Sequence, residues 1–162
     1  MYGAKNTTVP QQADTKLFHP AHVNNFETDE AFITRTPIET IEDIVKARQV
    51  GRLLAQELGF STSRSTLVTT VISELARNIV LYADAGEIIL SRVDKGSLEG
   101  IRIIAADHGP GIANIHHALM GGVSTSGGLG LGLTGVKQLA DEFEVTSSQG
   151  IGTTVIISIW RH

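Results

Sequence analysis

Ser73-Glu74-Leu75-Ala76-Arg77-Asn78 lies within an apolar, helix-periodic segment. Glu74 and Asn78 are four apart, so on a helix they share one face. A carboxylate beside a core face can take a proton from a hydroxyl. An amide one turn further on can offer its oxygen to Mg²⁺, a hard ligand for a hard cation. Alone, the pair equally describes the polar face of an ordinary amphipathic helix.

The helix is read from Ser61 or Ser63, both good caps, to about Tyr82. Leu67, Val71, Ile72, Leu75, Ile79 and Val80 supply its apolar positions. Before it, Ile41, Ile44, Val45, Val50, Leu53, Leu54 and Leu58 recur at three- and four-residue steps. They predict a first helix from Ile38 or Thr40 to Leu58, capped by Thr40 and ended by Gly59. Residues 31–35 have the character of an edge strand. After the second helix come two strands, 87–93 and 101–106, joined by the turn-forming Asp94-Lys95-Gly96-Ser97.

The second strand runs into Asp107-His108-Gly109-Pro110-Gly111. A carboxylate at a strand end can accept from an exocyclic amine, and glycines let backbone approach a flat ring. As a bare string it is also good turn chemistry. Next comes Ser124-Thr125-Ser126-Gly127-Gly128-Leu129-Gly130-Leu131-Gly132-Leu133. Repeated glycines can present several N–H groups to one anion, and the following helix favours phosphate at its start. No Gly-Lys-Ser/Thr follows, so this is not a Walker loop. No strand leads into it with dinucleotide-fingerprint spacing either. A short helix within 112–120, a longer one over 131–143, and strands at 144–147 and 153–160 complete the pattern. A Gly150/Gly152 turn joins the last two strands, and Gly152-Thr153-Thr154 opens the final one.

Short strand connections make antiparallel pairings dominate. The expected fold is therefore α+β, a two-layer sandwich of helices over one face of a mixed, mostly antiparallel sheet. The chain has 162 residues, 41% hydrophobic and 19% charged, with a formal net charge of −4. That composition is globular and sized for one domain. No basic block invites nucleic acid. No cysteine is present, which excludes disulfides and thiolate metal sites and fits a reducing cytoplasm. No apolar run approaches the ~20 residues of a membrane span. No signal-peptide core opens the chain. Residues 1–25 are polar and aperiodic, read as a flexible tail or as an extension that contacts a partner. Residues 26–162 form the domain.

Taken together and in this order, the four strings resemble the GHKL, or Bergerat-fold, superfamily of ATPases and kinases over about residues 30–160. The resemblance implies Glu74 as base and Asn78 as Mg²⁺ ligand. It implies Asp107 on the adenine amine, with Gly109 and Gly111 beside it. Ser126, Gly127, Gly128, Leu129, Gly130, Leu131 and Gly132 would lie over the phosphates, and Thr153 would support the adenine. Arg77 would reach the phosphates or a partner carboxylate, unless it makes an ordinary surface salt bridge. The strings SELARN, DHGPGI and VSTSGGLGLGL resemble more narrowly the RsbT-type switch kinases of bacterial stress signalling. That group implies ATP and Mg²⁺ as cofactors, a STAS-domain protein as phosphoacceptor and a phosphatase as later partner. The chain departs from the group in its longer polar N-terminal tail. Related anti-sigma factors instead sequester a sigma factor. A detached histidine-kinase domain would need a phosphoacceptor histidine on a dimerising helix, and residues 40–58 contain none. His108, His116 and His117 read as loop residues without metal-centre spacing.

Overall fold

A computed structural model describes residues 27–28, 34–120 and 131–162. The expected tail, residues 1–25, and residues 121–130 lie outside the described residues.

Helix α1 spans Ile41–Glu57 and α2 spans Thr62–Tyr82. The start of α1 is secured by Asp43, whose carboxylate accepts from the backbone N–H groups of Glu39 and Thr40 at 3.1 and 3.0 Å. It also accepts from the Thr40 hydroxyl and from Lys46 Nζ. A carboxylate here satisfies orphan donors and meets the positive end of the helix dipole. Gly59, at φ +73, lets the chain leave α1. Ser61 Oγ accepts from Arg64 N at the start of α2, the cap expected from sequence.

Strands β1 (Glu27–Thr28) and β2 (Thr34–Ile38) both pair with the outer edge of β3 (Gly86–Lys95). β3 turns through Gly96-Ser97 into β4 (Leu98–Asp107). The short helices α3 (Ile115–Leu119) and α4 (Gly132–Leu139) come next, then β5 (Glu142–Ser148) and β6 (Gly152–Trp160). The strand order is β1–β3–β4–β6–β5, with β2 beside β1 on β3. Every pairing among the described residues is antiparallel, so the parallel component expected of a mixed sheet does not occur there.

Two elements differ from their expected bounds. The edge strand expected at 31–35 is described from Thr34 and runs on to Ile38, where Pro37 is tolerated because the strand lies on an edge. The helix expected at 131–143 stops at Leu139, and Ala140 is extended with ψ 145. Phe143 then pairs with Ile157 in the sheet. Leu139, Ala140 and Phe143 keep helical spacing, but ladder hydrogen bonds and burial against β6 override it.

The core lies between α2 and the sheet. Val68, Val71, Ile72, Leu75 and Ile79 of α2 meet Ile88, Leu90, Ile101, Ile103, Val155, Ile157 and Ile159. Each such side chain contributes about 1.5–3 kcal/mol by leaving water. α1 covers α2 and β2 through Ile44, Ala47, Leu54 and Ala55. On the opposite side of the sheet, Ile89, Ser91, Arg102, Ile104 and Ser158 are buried too. Burial lowers the Arg102 guanidinium below its ordinary range, against the opposing pull of Glu142 and Glu144. Among the described residues, no helix is long and apolar enough to cross a membrane.

Candidate active site

The packed face of α2 carries Glu74 into the protein. Its side chain is only 7% exposed, unusual for a carboxylate, so it needs a partner. Arg77, one turn along, donates Nη1–H to Glu74 Oε1 at 3.0 Å. The salt bridge considered for Arg77 from sequence therefore forms, but with the candidate base itself and half-buried. Its effect is positional, since it fixes the rotamer of Glu74 and keeps a cation beside it. Asn78 follows on α2, half-buried.

Asp107 ends β4. In the sheet it is paired with Gly86 on one side and Thr153 on the other. Its Oδ1 accepts from Gly109 N at 2.9 Å and from Thr153 N at 3.3 Å. The loop that follows is stitched to the β5–β6 turn. Gly150 N donates to Pro110 O at 2.7 Å, and Ile112 N to Ser147 Oγ at 2.8 Å. Ser147 Oγ also lies 2.9 Å from Thr153 Oγ1 and donates to Gly152 O at 3.0 Å. Thus Asp107, Gly109, Gly111 and Thr153, separated in sequence, form one contiguous wall.

The glycines in this wall have steric reasons to be glycine. Gly152 sits at φ +143, and a Cβ there would fall 2.0 Å from Asp107 O. A Cβ on Gly109 would fall 2.6 Å from the Cβ of Ala83, the residue that ends α2. This second contact joins the Asp107 wall to the helix carrying Asn78 and Glu74. At ~1.5 Å rise per residue, Asn78 lies about 7–8 Å and Glu74 about 13–14 Å along α2 from Ala83.

Of the glycine-rich string, Ser126, Gly127, Gly128, Leu129 and Gly130 lie outside the described residues. Leu131 and Gly132 stand at the start of α4, which Val136 buries against the core and Thr134 ties to the carbonyls of Ala118 and Leu119. His116 and His117 sit on α3 and not in a loop, as read from sequence, because Asn114 caps that helix by accepting from His117 N. Among the described residues, no group of three or more His, Cys, Asp or Glu side chains is placed to hold a metal. Sequence reasoning missed Ser147 and Ala83. Ser147 stood in an unremarkable polar run, and Ala83 matters only through its tertiary contact.

The family model for histidine kinase-, DNA gyrase B-, and HSP90-like ATPases matches residues 63–162, from the first turn of α2 to the end of the chain. A serine/threonine-protein kinase, RsbT of Bacillus subtilis strain 168, is 52% identical over 123 residues. The match covers 76% of this chain and 92% of the relative. The chain belongs to the RsbT family of protein-serine/threonine kinases. This RsbT-family kinase also resembles the crystal structure of the RsbU and RsbW domains of a Mycobacterium tuberculosis protein, with a TM-score of 0.55 at 20% identity. That likeness covers 78% of this chain but only 31% of the larger one, and it bears on the fold alone. The family is ATP-using, so the wall at Asp107 and the polar face of α2 are the two parts of the candidate nucleotide site.

Proposed function

We propose that this kinase transfers the γ-phosphoryl group of ATP to a serine or threonine of a STAS-domain protein, within a bacterial partner-switching stress module. After transfer, the freed kinase engages a phosphatase. The observation that carries the reading is the run of Glu74, Asn78 and Ala83 along α2 to the Asp107 wall. Adenine sits at the wall, with its amine donating to Asp107 and Thr153 beside it. The phosphates extend back along α2 toward Asn78 and Glu74. The family resemblance assigns the phosphates to Ser126–Gly132.

The acceptor hydroxyl stands at Glu74 and gives its proton to that carboxylate. Its oxygen bonds to the γ-phosphorus as the bond to the β–γ bridging oxygen breaks, and ADP leaves. Arg77 holds Glu74 in line and keeps positive charge near the transferring group. Asn78 offers an amide oxygen, and a single protein oxygen suits Mg²⁺, which takes most of its ligands from phosphates and water. When bound, Mg²⁺ supplies charge neutralisation across the phosphates. Positioning does most of the remaining work.

Labelled ATP, incubated with the STAS-domain proteins of the source organism, tests the reading. Glu74→Gln keeps the shape and removes the base, so transfer drops about 100-fold or more. Equal transfer by wild type and Glu74→Gln would remove Glu74 from that role.

A further inference from the structure

A groove of about 430 Å³ opens between α1 and α2. Glu74 lines it. So do Arg48 and Arg52 from α1, and Ser73, Thr69 and Arg77 from α2. The hydroxyls are already used, since Thr69 Oγ1 donates to Thr66 O and Ser73 Oγ to Thr69 O, at 3.0 and 2.7 Å. Arg77 is engaged with Glu74. Arg48 and Arg52 are different. Both are exposed, and neither makes an ion pair among the described residues. They stand four apart on one helix face, a spacing at which like charges repel. The neighbouring turn positions are Ile44, Val45, Gly51, Gln49, Ala55 and Gln56, so no carboxylate of their own helix face relieves them, and Glu74 across the groove is engaged by Arg77. The same face continues toward the helix start as exposed Val45 and Ile41, at 57% and 69% exposure. An unrelieved arginine pair beside an apolar patch, in a chain of net charge −4, is a surface that an acidic protein segment would complete.

The geometry points to this groove as the docking site for the acceptor segment of the protein substrate, with carboxylates flanking the serine or threonine. The assignment rests on the kinase reading above, because Glu74 is both the proposed base and part of the groove wall. Carboxylates on Arg48 and Arg52 hold the segment while its hydroxyl enters beside Glu74. The apolar end at Val45 and Ile41 takes a non-polar flanking residue. Selectivity for substrate therefore resides on α1, outside the nucleotide wall.

Two short serine peptides test this, one flanked by aspartates and valine, the other by lysines and valine. Phosphate transfer from labelled ATP and fluorescence anisotropy are read on each. Wild type labels and binds the acidic peptide about tenfold or more in preference to the basic one. The double variant R48E/R52E reverses the preference, and R48K/R52K retains it. Both positions are exposed, and thermal unfolding verifies that each variant is folded. A wild type indifferent to peptide charge, or an R48E/R52E variant that keeps the acidic preference, overturns the proposal. Selective binding without label on the serine overturns it as well, since the occupant would not be the acceptor. Lost affinity for a fluorescent ATP analogue in R48E/R52E would assign the arginines to the nucleotide and likewise overturn it. Failure of the kinase reading looks different, because Glu74→Gln would then still transfer phosphate while the charge preference persisted.

Discussion

Asp107 uses one oxygen, Oδ1, to hold its own loop and the start of β6. The second oxygen is the one the proposed adenine amine would meet. These two duties separate in Asp107→Asn. An amide oxygen can still accept from Gly109 and Thr153, so the melting temperature stays near wild type. The other oxygen becomes an NH₂ donor facing an amine donor, and ATP affinity falls about tenfold or more by calorimetry. Unchanged affinity would remove Asp107 from the adenine site. Asp107 could be singled out in the sequence because it stands between an apolar strand and two glycines. The fit of Gly109 against Ala83 could not, because it depends on where α2 ends relative to β4 after folding. Arg77 lay between these cases: its charge was visible, but its partner was settled only by the side-chain path along α2.

At the scale of elements, α1 depends on Asp43. The Lys46 ammonium, together with the backbone N–H groups of Glu39 and Thr40, holds the Asp43 carboxyl well below the usual carboxylate range. A pKa depressed in the fold means that the unfolded chain binds more protons in acid. The stabilisation is thus fully present above the unfolded value of about 3.9 and is lost as pH falls below it, toward the folded value. Asp43→Asn should therefore lower the melting temperature at neutral pH, and the gap to wild type should close progressively as pH drops below about 3.9. A gap that is constant across that range would separate the cap from the charge. Helix α1 was legible because apolar period, the Thr40 cap and the Gly59 stop agree, and α2 because its apolar period follows the Ser61 cap. The end of α4 was not legible, since apolar spacing runs on through Phe143 and only pairing with Ile157 decides for strand.

For the whole molecule, Arg64 connects parts of the chain that are far apart in sequence. From the first turn of α2 it donates Nε–H to Trp160 O at 2.9 Å and pairs with Asp141. Asp141 in turn accepts from Trp160 N at 2.7 Å. The network joins the helix layer, the α4–β5 connection and the end of the last strand. Arg64→Ala removes the guanidinium bonds to Trp160 O and Asp141 and costs about 2 kcal/mol, or roughly 5 °C in melting temperature. A shift under a degree would mean that water replaces the guanidinium without loss. The antiparallel order of the sheet was anticipated from its short turns. The groove between α1 and α2 was not, because helical period identifies a buried face but not which exposed side chains of two helices end up opposite each other.

The bond from Gly150 to Pro110, with Ser147 bridging Ile112 and Gly152, builds the Asp107 wall from the loop after β4 and the β5–β6 turn, segments well separated in the chain. Such a wall has no existence in a partly folded chain. Nucleotide bound there is linked to global folding, and a hundredfold excess of ATP over its dissociation constant adds about 2.7 kcal/mol to stability. Thermal unfolding with and without ATP should show a rise of several degrees, and none at all would mean that ATP does not bind the folded chain. In a cell, the lifetime of this kinase against proteolysis would then follow the energy charge. A starved cell would hold not only less phosphoryl donor but also less of the enzyme that spends it.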